Sequence, residues 1–386
     1  MSAAFFKPRL LAPGPVEVPP AVLEALARPV AHHRAPAFRE TFLRARERLA
    51  TVFSVPGDDV LIVTGSGTAG FEAALVSAVP AGDRVLALHA GRFGERWAAM
   101  AESLGYQVEH LEAAPGAEFD LSEVAERLDA TSQLAAVTLV HSETSTGALH
   151  DVRAVAELVR RVRPEALVLV DAVTSLACAE LRPLEWGLDA VVSGSQKGVM
   201  TPPGLAFVWL SERAWQRSGE AGRAGSYYLG LHRERAKQAG GQTAFTPAVS
   251  LVAGLDVALG MLLDEGLENV WRRRAGLNAA LLAAGGALGL RQFAARPSPA
   301  VAALVVPEGI GARAVLSAAR ARGATLAGGQ GELAGTIIRP SLLGYADRYD
   351  AVAAAQLLED ALHDVDADTP QGVAVPAALR ALAGEA

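Results

Sequence analysis

Cysteine is almost missing: the 386 residues include one, Cys178. A single thiol excludes an intramolecular disulfide and any cysteine zinc cluster. Cys178 falls among small apolar residues after a strand pattern, where an inert packed thiol is expected. Aromatic residues are sparse too, at 5%. No apolar run approaches the roughly 18 residues of a membrane span. The first residues are too short an apolar run for a signal peptide, so no membrane partner and a cytoplasmic location are expected. Positive charge is not in excess: 35 Lys and Arg against 42 Asp and Glu give a net charge of -7. That balance excludes a basic nucleic-acid surface. What is present, 51% hydrophobic and 20% charged residues, suits a globular chain with a large core. Its length predicts two domains.

Three stretches carry chemistry. Ser193-Gly194-Ser195-Gln196-Lys197-Gly198 follows an apolar strand pattern over 188–192. Small neighbours let a planar group approach the backbone, and a lysine amine can condense with an aldehyde. Taken alone, Lys197 reads as a solvated loop lysine. Asp171, however, ends the apolar strand pattern Val168-Leu169-Val170, where an ionised carboxylate is costly unless partnered. A lysine for an aldehyde and an aspartate for a ring nitrogen form the pair that pyridoxal phosphate chemistry uses. The third stretch, Thr64-Gly65-Ser66-Gly67-Thr68-Ala69-Gly70, links a strand over 59–63 to a helix over 71–79. A glycine-rich turn between strand and helix offers amide N–H groups and a helix dipole to a phosphate, and Ser66 and Thr68 add hydroxyls. It lacks the lysine of a P-loop and the spacing of a dinucleotide fingerprint.

Strands alternating with helices over 60–210 predict an α/β unit, a mostly parallel sheet wrapped on both faces. Ser66, Thr144, Asp171 and Lys197 all follow predicted strands, and carboxyl ends of parallel strands are where such sheets bind ligands. Phe93, in the turn Gly91-Arg92-Phe93-Gly94, can stack on a flat ring or belong to the core. The hydroxyl cluster around Thr144 suits either ring substituents or helix capping. His32 and His33 lack further metal ligands at helical spacing, leaving His33 or Arg34 as rim contacts to an acidic substrate. Residues 219–241 read as a basic loop. A long helical pattern over 248–284, with kinks allowed at Gly254, Gly260 and Gly266, leads to a smaller α/β unit. Arg339 ends a strand there, and its guanidinium can grip a carboxylate through two parallel bonds. The tail, 364–386, reads as a polar linker and a short peripheral helix.

In this order, these residues resemble the class V aminotransferases, fold-type I pyridoxal-phosphate enzymes, and within them the alanine–glyoxylate and serine–pyruvate branch. The likeness rests on Gly65-Ser66-Gly67-Thr68, Glu143-Thr144-Ser145-Thr146-Gly147, Val170-Asp171-Ala172-Val173 and Ser193-Gly194-Ser195-Gln196-Lys197. It implies a large cofactor-binding domain over 21–255, a small C-terminal domain over 256–386, and a segment 1–20 packing near the active site. By the same likeness Lys197 carries pyridoxal 5'-phosphate as an internal aldimine and Asp171 pairs with its ring nitrogen. Ser66, Gly67, Thr68 and Gln196 hold the phosphate, Thr144 bonds the phenolic oxygen, and Arg339 binds the substrate carboxylate. The family works as a homodimer with shared sites, so Thr246 is expected at the partner's phosphate.

Two departures concern the site. Phe93 stands where the family often has Trp, and Thr243 where some relatives have Tyr. The implied reaction is transamination between alanine or serine and glyoxylate or pyruvate. Alternatives are another donor (aspartate, phosphoserine or a purine-pathway intermediate) or a non-catalytic cofactor-binding subunit. A cysteine desulfurase needs a reactive cysteine downstream of the lysine, and Cys178 lies upstream.

Overall fold

The computed structural model describes residues 6–57, 59–221, 226–365 and 368–384. Its larger sheet has seven strands. Val60–Thr64 lies at one edge, followed by Leu205–Leu210, Ala190–Gly194 and Leu167–Asp171, then Leu134–Val140, Arg84–His89 and Gln107–Glu112. Leu205–Leu210 runs antiparallel to both of its neighbours, and the other pairs are parallel. The central strands are unbroken apolar runs because helices cover both faces; all seven residues of Leu134–Val140 are buried. Gln107–Glu112, at the far edge, instead mixes exposed and buried positions.

Sheets must manage their edges. On Val60–Thr64 the buried Gln238 side chain does this: its amide accepts from the Ile62 N–H at 3.0 Å and donates to the Ile62 carbonyl at 2.8 Å. Gln238 ends the helix Leu231–Gln238, and Glu212–Ala221 is helical as well. The stretch read as a basic loop over 219–241 is therefore largely helical on both sides of 222–225, which lie outside the described residues. At the amino-terminal side of the sheet, buried Asp189 accepts from Val168 N at 2.8 Å, Ser211 Oγ at 2.9 Å, Arg213 Nε at 3.2 Å and Arg160.

The helical pattern over 248–284 is two helices, Val249–Glu265 and Leu267–Ala287. The break falls at Gly266, whose φ of +84° is left-handed. Gly254 lies inside the continuous helix Val249–Glu265; a Cβ there would lie 3.0 Å from Leu26, so it serves close packing onto the helix Pro20–Leu26. Leu255, Leu259 and Leu262 join the core of the large sheet, so a division at 255/256 falls inside this helix.

The second sheet has five strands, in the order Arg9–Leu11, Ala324–Gly328, Ile337–Arg339, Leu304–Val305 and Arg291–Gln292. Arg9–Leu11 pairs parallel with Ala324–Gly328, so the start of the chain belongs with its end. The tail helix is not peripheral. Ala374–Ala383 buries Ala374, Ala378 and Ala381 in the core of this unit, and Glu359 accepts from the N–H groups of Gly372, Val373 and Ala374 at its start.

Candidate active site

A cavity of about 320 Å³ opens at the carboxyl ends of the parallel strands. That volume lies at the lower end of the small-ligand range. Asp171, Lys197, Ser66, Gly67, Thr68 and Phe93 line it, with Gln196 beside the lysine. Sheet geometry brings them together, because successive parallel strands deliver their exit loops to one edge.

Asp171 is the last residue of Leu167–Asp171 and is 4% exposed. Burial pushes its carboxyl up to about 7; the Val173 N–H, at 2.7 Å, opposes the rise, Glu143 adds to it and Lys197 works against it. Lys197 follows Ala190–Gly194, and its Nζ donates to the Pro13 carbonyl. Burial lowers the amine to about 8, with Arg339 adding to the fall and Asp171 resisting it. A Cβ on Gly14 would sit 2.5 Å from Nζ, so this glycine makes room for the lysine head. The turn Pro13-Gly14-Pro15 thus forms one wall of the site, within the segment 1–20 expected to pack near it.

Ser66 is the N-cap of the helix Gly67–Ala78 and makes no side-chain capping hydrogen bond. The helix also begins earlier than its apolar pattern suggests, so the glycine-rich turn is itself the first helical turn. Its N–H groups form an anion cradle of the kind phosphates occupy. Nearby, Gln196 Oε1 is buried with no partner. An unpaired buried amide is costly, and it fits a site that a ligand completes. The Phe93 ring lines the cavity with the Arg96 guanidinium 4.9 Å from its centroid.

Other expected residues sit differently. Thr144 is buried but does not line the cavity; its carbonyl accepts from Arg339 Nη1, and Ser142 of the same hairpin forms the lining instead. Arg339 is 4% exposed, and its Nε donates to the Gly328 carbonyl at 2.8 Å. Burial draws its guanidinium below the ordinary value, while Glu143 pulls it back up. Thr243 donates to the Phe245 carbonyl at 2.6 Å, Thr246 is exposed, and neither lines this chain's cavity. His33 and Arg34 do not line it either. Sequence reasoning gave no role to Glu143, a fully buried carboxylate. Its signal was a charged residue set in a run of hydroxyls shortly after the buried strand Leu134–Val140.

The deciding facts are a buried lysine with a lowered amine, a buried aspartate within its electrostatic reach, and an open helix start beside them. These residues fit pyridoxal phosphate: an amine for its aldehyde, a carboxyl for its ring nitrogen, amides for its phosphate. A family model described as aminotransferase class-V matches residues 13–348. The chain belongs to the class V aminotransferases.

It is a pyridoxal-phosphate-dependent enzyme of fold-type I. Among its relatives, the soluble hydrogenase 42 kDa subunit of Anabaena cylindrica is 38% identical over 377 residues, spanning 96% of this chain and 97% of that protein. The serine–glyoxylate aminotransferase of Hyphomicrobium methylovorum is 34% identical over 364 residues, 92% of this chain and 90% of that one. Among solved structures, the subgroup IV aspartate aminotransferase of Thermus thermophilus is 44% identical, with a TM-score of 0.87 over 92% of this chain and 99% of its own. Among the described residues, no helix of this aminotransferase is long and apolar enough to cross a membrane.

Proposed function

We propose that this aminotransferase moves the amino group of a small amino acid, alanine or serine, to glyoxylate or pyruvate. The observation that carries the reading is the cation inventory of the site. Among the described residues lining the cavity, the basic side chains are Lys197 and Arg96. Arg96 lies over Phe93 with Nη1 3.5 Å from Thr68 Oγ1, on the phosphate side. Arg339, within electrostatic reach of Lys197, then serves the α-carboxylate common to every donor. The likeness to a serine–glyoxylate aminotransferase supports this choice.

Bound pyridoxal phosphate supplies an electron-withdrawing ring that stabilises the charge left when the substrate Cα loses its proton. Lys197 would hold the cofactor through its amine, and that amine, when free, would carry the proton from the substrate Cα to the cofactor's C4′ carbon. Asp171 holds a proton at the ring nitrogen. Arg339 orients the substrate by its carboxylate, and Ser66, Gly67, Thr68 and Gln196 hold the phosphate. Thr144 serves the site through its carbonyl on Arg339. The working unit is a homodimer in which Thr246, exposed and away from this chain's cavity, and Thr243 serve the partner's phosphate.

A second reading takes aspartate as donor; the 44% identical aspartate aminotransferase of Thermus thermophilus favours it. Titrating the cofactor-loaded protein with alanine, serine and aspartate separates the two. Alanine or serine should bleach the visible band of the bound cofactor at the lowest concentration. Bleaching by aspartate first would transfer the assignment to the second reading, and a band that no amino acid perturbs would overturn both.

Loading itself has a pH signature. The neutral amine is the nucleophile toward the aldehyde. With Lys197 lowered from 10.5 to about 8, the rate of cofactor uptake by the empty protein should climb with pH, reach half its plateau near 8 and level off above it. Stopped-flow absorbance reads this directly. A rate still climbing towards 10.5 would show an unperturbed lysine and would count against Lys197 as the attachment point.

A further inference from the structure

The helix Arg92–Ser103 carries Phe93 in its first turn, yet its N-cap is Gly91, which has no side chain to offer the leading N–H groups. Those groups are satisfied from a segment some fifty residues away. Arg92 N donates to Ser145 Oγ at 3.1 Å, and Phe93 N and Gly94 N donate to Glu143 Oε2 at 3.1 and 3.2 Å. The other carboxylate oxygen, Oε1, accepts from Ser145 N at 3.1 Å and from Ser145 Oγ. Glu143 has no exposed surface. Gly91 is required by this arrangement, because a Cβ there would fall 2.5 Å from Ser145 Oγ and 2.8 Å from Glu143 Cγ. A carboxylate at a helix start is favoured by the dipole as well as by the hydrogen bonds.

The same segment reaches the opposite side of the site, since the carbonyl of Thr144, between the two capping residues, accepts from Arg339. One buried junction therefore fixes both the aromatic ring at the cavity wall and the carboxylate-binding arginine.

We infer that Glu143 and Ser145 are positioning residues of the amino-transfer reaction: together they cap the Phe93 helix from outside it and set the ring against the cofactor site. The inference rests on Phe93 covering the cofactor. It predicts that loosening the cap alters the bound cofactor's surroundings, where a purely structural contact would alter stability alone.

The test compares Glu143→Gln and Ser145→Ala with Asp189→Asn, a buried acid of similar hydrogen-bond load at the other side of the sheet. All are made in the full chain and loaded with pyridoxal phosphate. Well below their melting temperatures, Glu143→Gln and Ser145→Ala should bind the cofactor about tenfold more weakly, the scale of one lost cap. The visible circular dichroism of the bound cofactor should shrink in both. Asp189→Asn should lower the melting temperature while leaving cofactor affinity and the visible signal unchanged. If Glu143→Gln does not fold, Ser145→Ala decides, since it removes the cap on Arg92 and one donor to Glu143 while leaving the Glu143 side chain itself in place. Wild-type affinity and wild-type visible dichroism in the Ser145 variant would overturn the inference. A parent protein that takes up no pyridoxal phosphate would instead overturn the cofactor reading, so the two failures are distinguishable.

Discussion

Replacing Lys197 with alanine is expected to lower turnover by on the order of 10⁴-fold or more, because it removes the covalent attachment and the proton carrier in one step. The fold should survive. Among the described residues the lysine head donates to the Pro13 carbonyl, and its charge is held in a place where burial disfavours it. Losing a buried amine whose charge burial disfavours removes a cost along with a contact. Steady-state transamination together with thermal melting of the cofactor-free protein reads both halves. Full activity in the variant would reject Lys197. Unfolding would show that the contact with the Pro13-Gly14-Pro15 turn matters more for structure than the hydrogen bond suggests.

Asp171→Asn is expected to cost on the order of 10²–10³-fold in turnover, the scale of removing one charged group that stabilises a developing charge. Asparagine has nearly the same shape and can still accept from Val173 N, but it carries no negative charge with which to hold a proton on the ring nitrogen. Stability should move the other way in the cofactor-free protein. The Asp171 carboxyl is raised from 3.8 to about 7 on folding, chiefly by burial. The native state therefore binds more protons than the unfolded state across that window, and the aspartate makes stability fall as pH rises from about 4 to 7. The asparagine variant should lack this decline and melt above the parent at neutral pH. Melting curves at several pH values test the sign. A variant that melts lower throughout would mean that the native site stabilises the carboxylate after all.

These two residues were legible before the fold because one of them, Asp171, is locally anomalous. A carboxylate at the end of an apolar strand contradicts its surroundings and asks for a partner, and that request gives meaning to a lysine which alone reads as a solvated loop residue. The parallel sheet was legible for a related reason: strands buried on both faces are continuous apolar runs, as Leu134–Val140 is. Short strands leave no such trace. Arg9–Leu11 and Ala324–Gly328 pair across almost the whole chain, and nothing in either segment names the other. The helices around 222–225 are strongly polar, and Gln238 is buried there only because an open strand edge meets it. The tail helix was misread as peripheral because alanines count as weakly apolar, yet they allow close packing against Leu267–Ala287.

The sequence by itself determined the chemical inventory and the alternation that makes a parallel sheet, since both depend on side-chain type and local periodicity. Only the tertiary structure decided that Gly14 makes room for Lys197, that Glu143 and Ser145 cap a helix some fifty residues away, and that Arg339 reaches Thr144 rather than standing free. Each of these joins residues far apart in the chain. Their pairing is fixed by which groups are left unsatisfied once the sheet and its helices have packed.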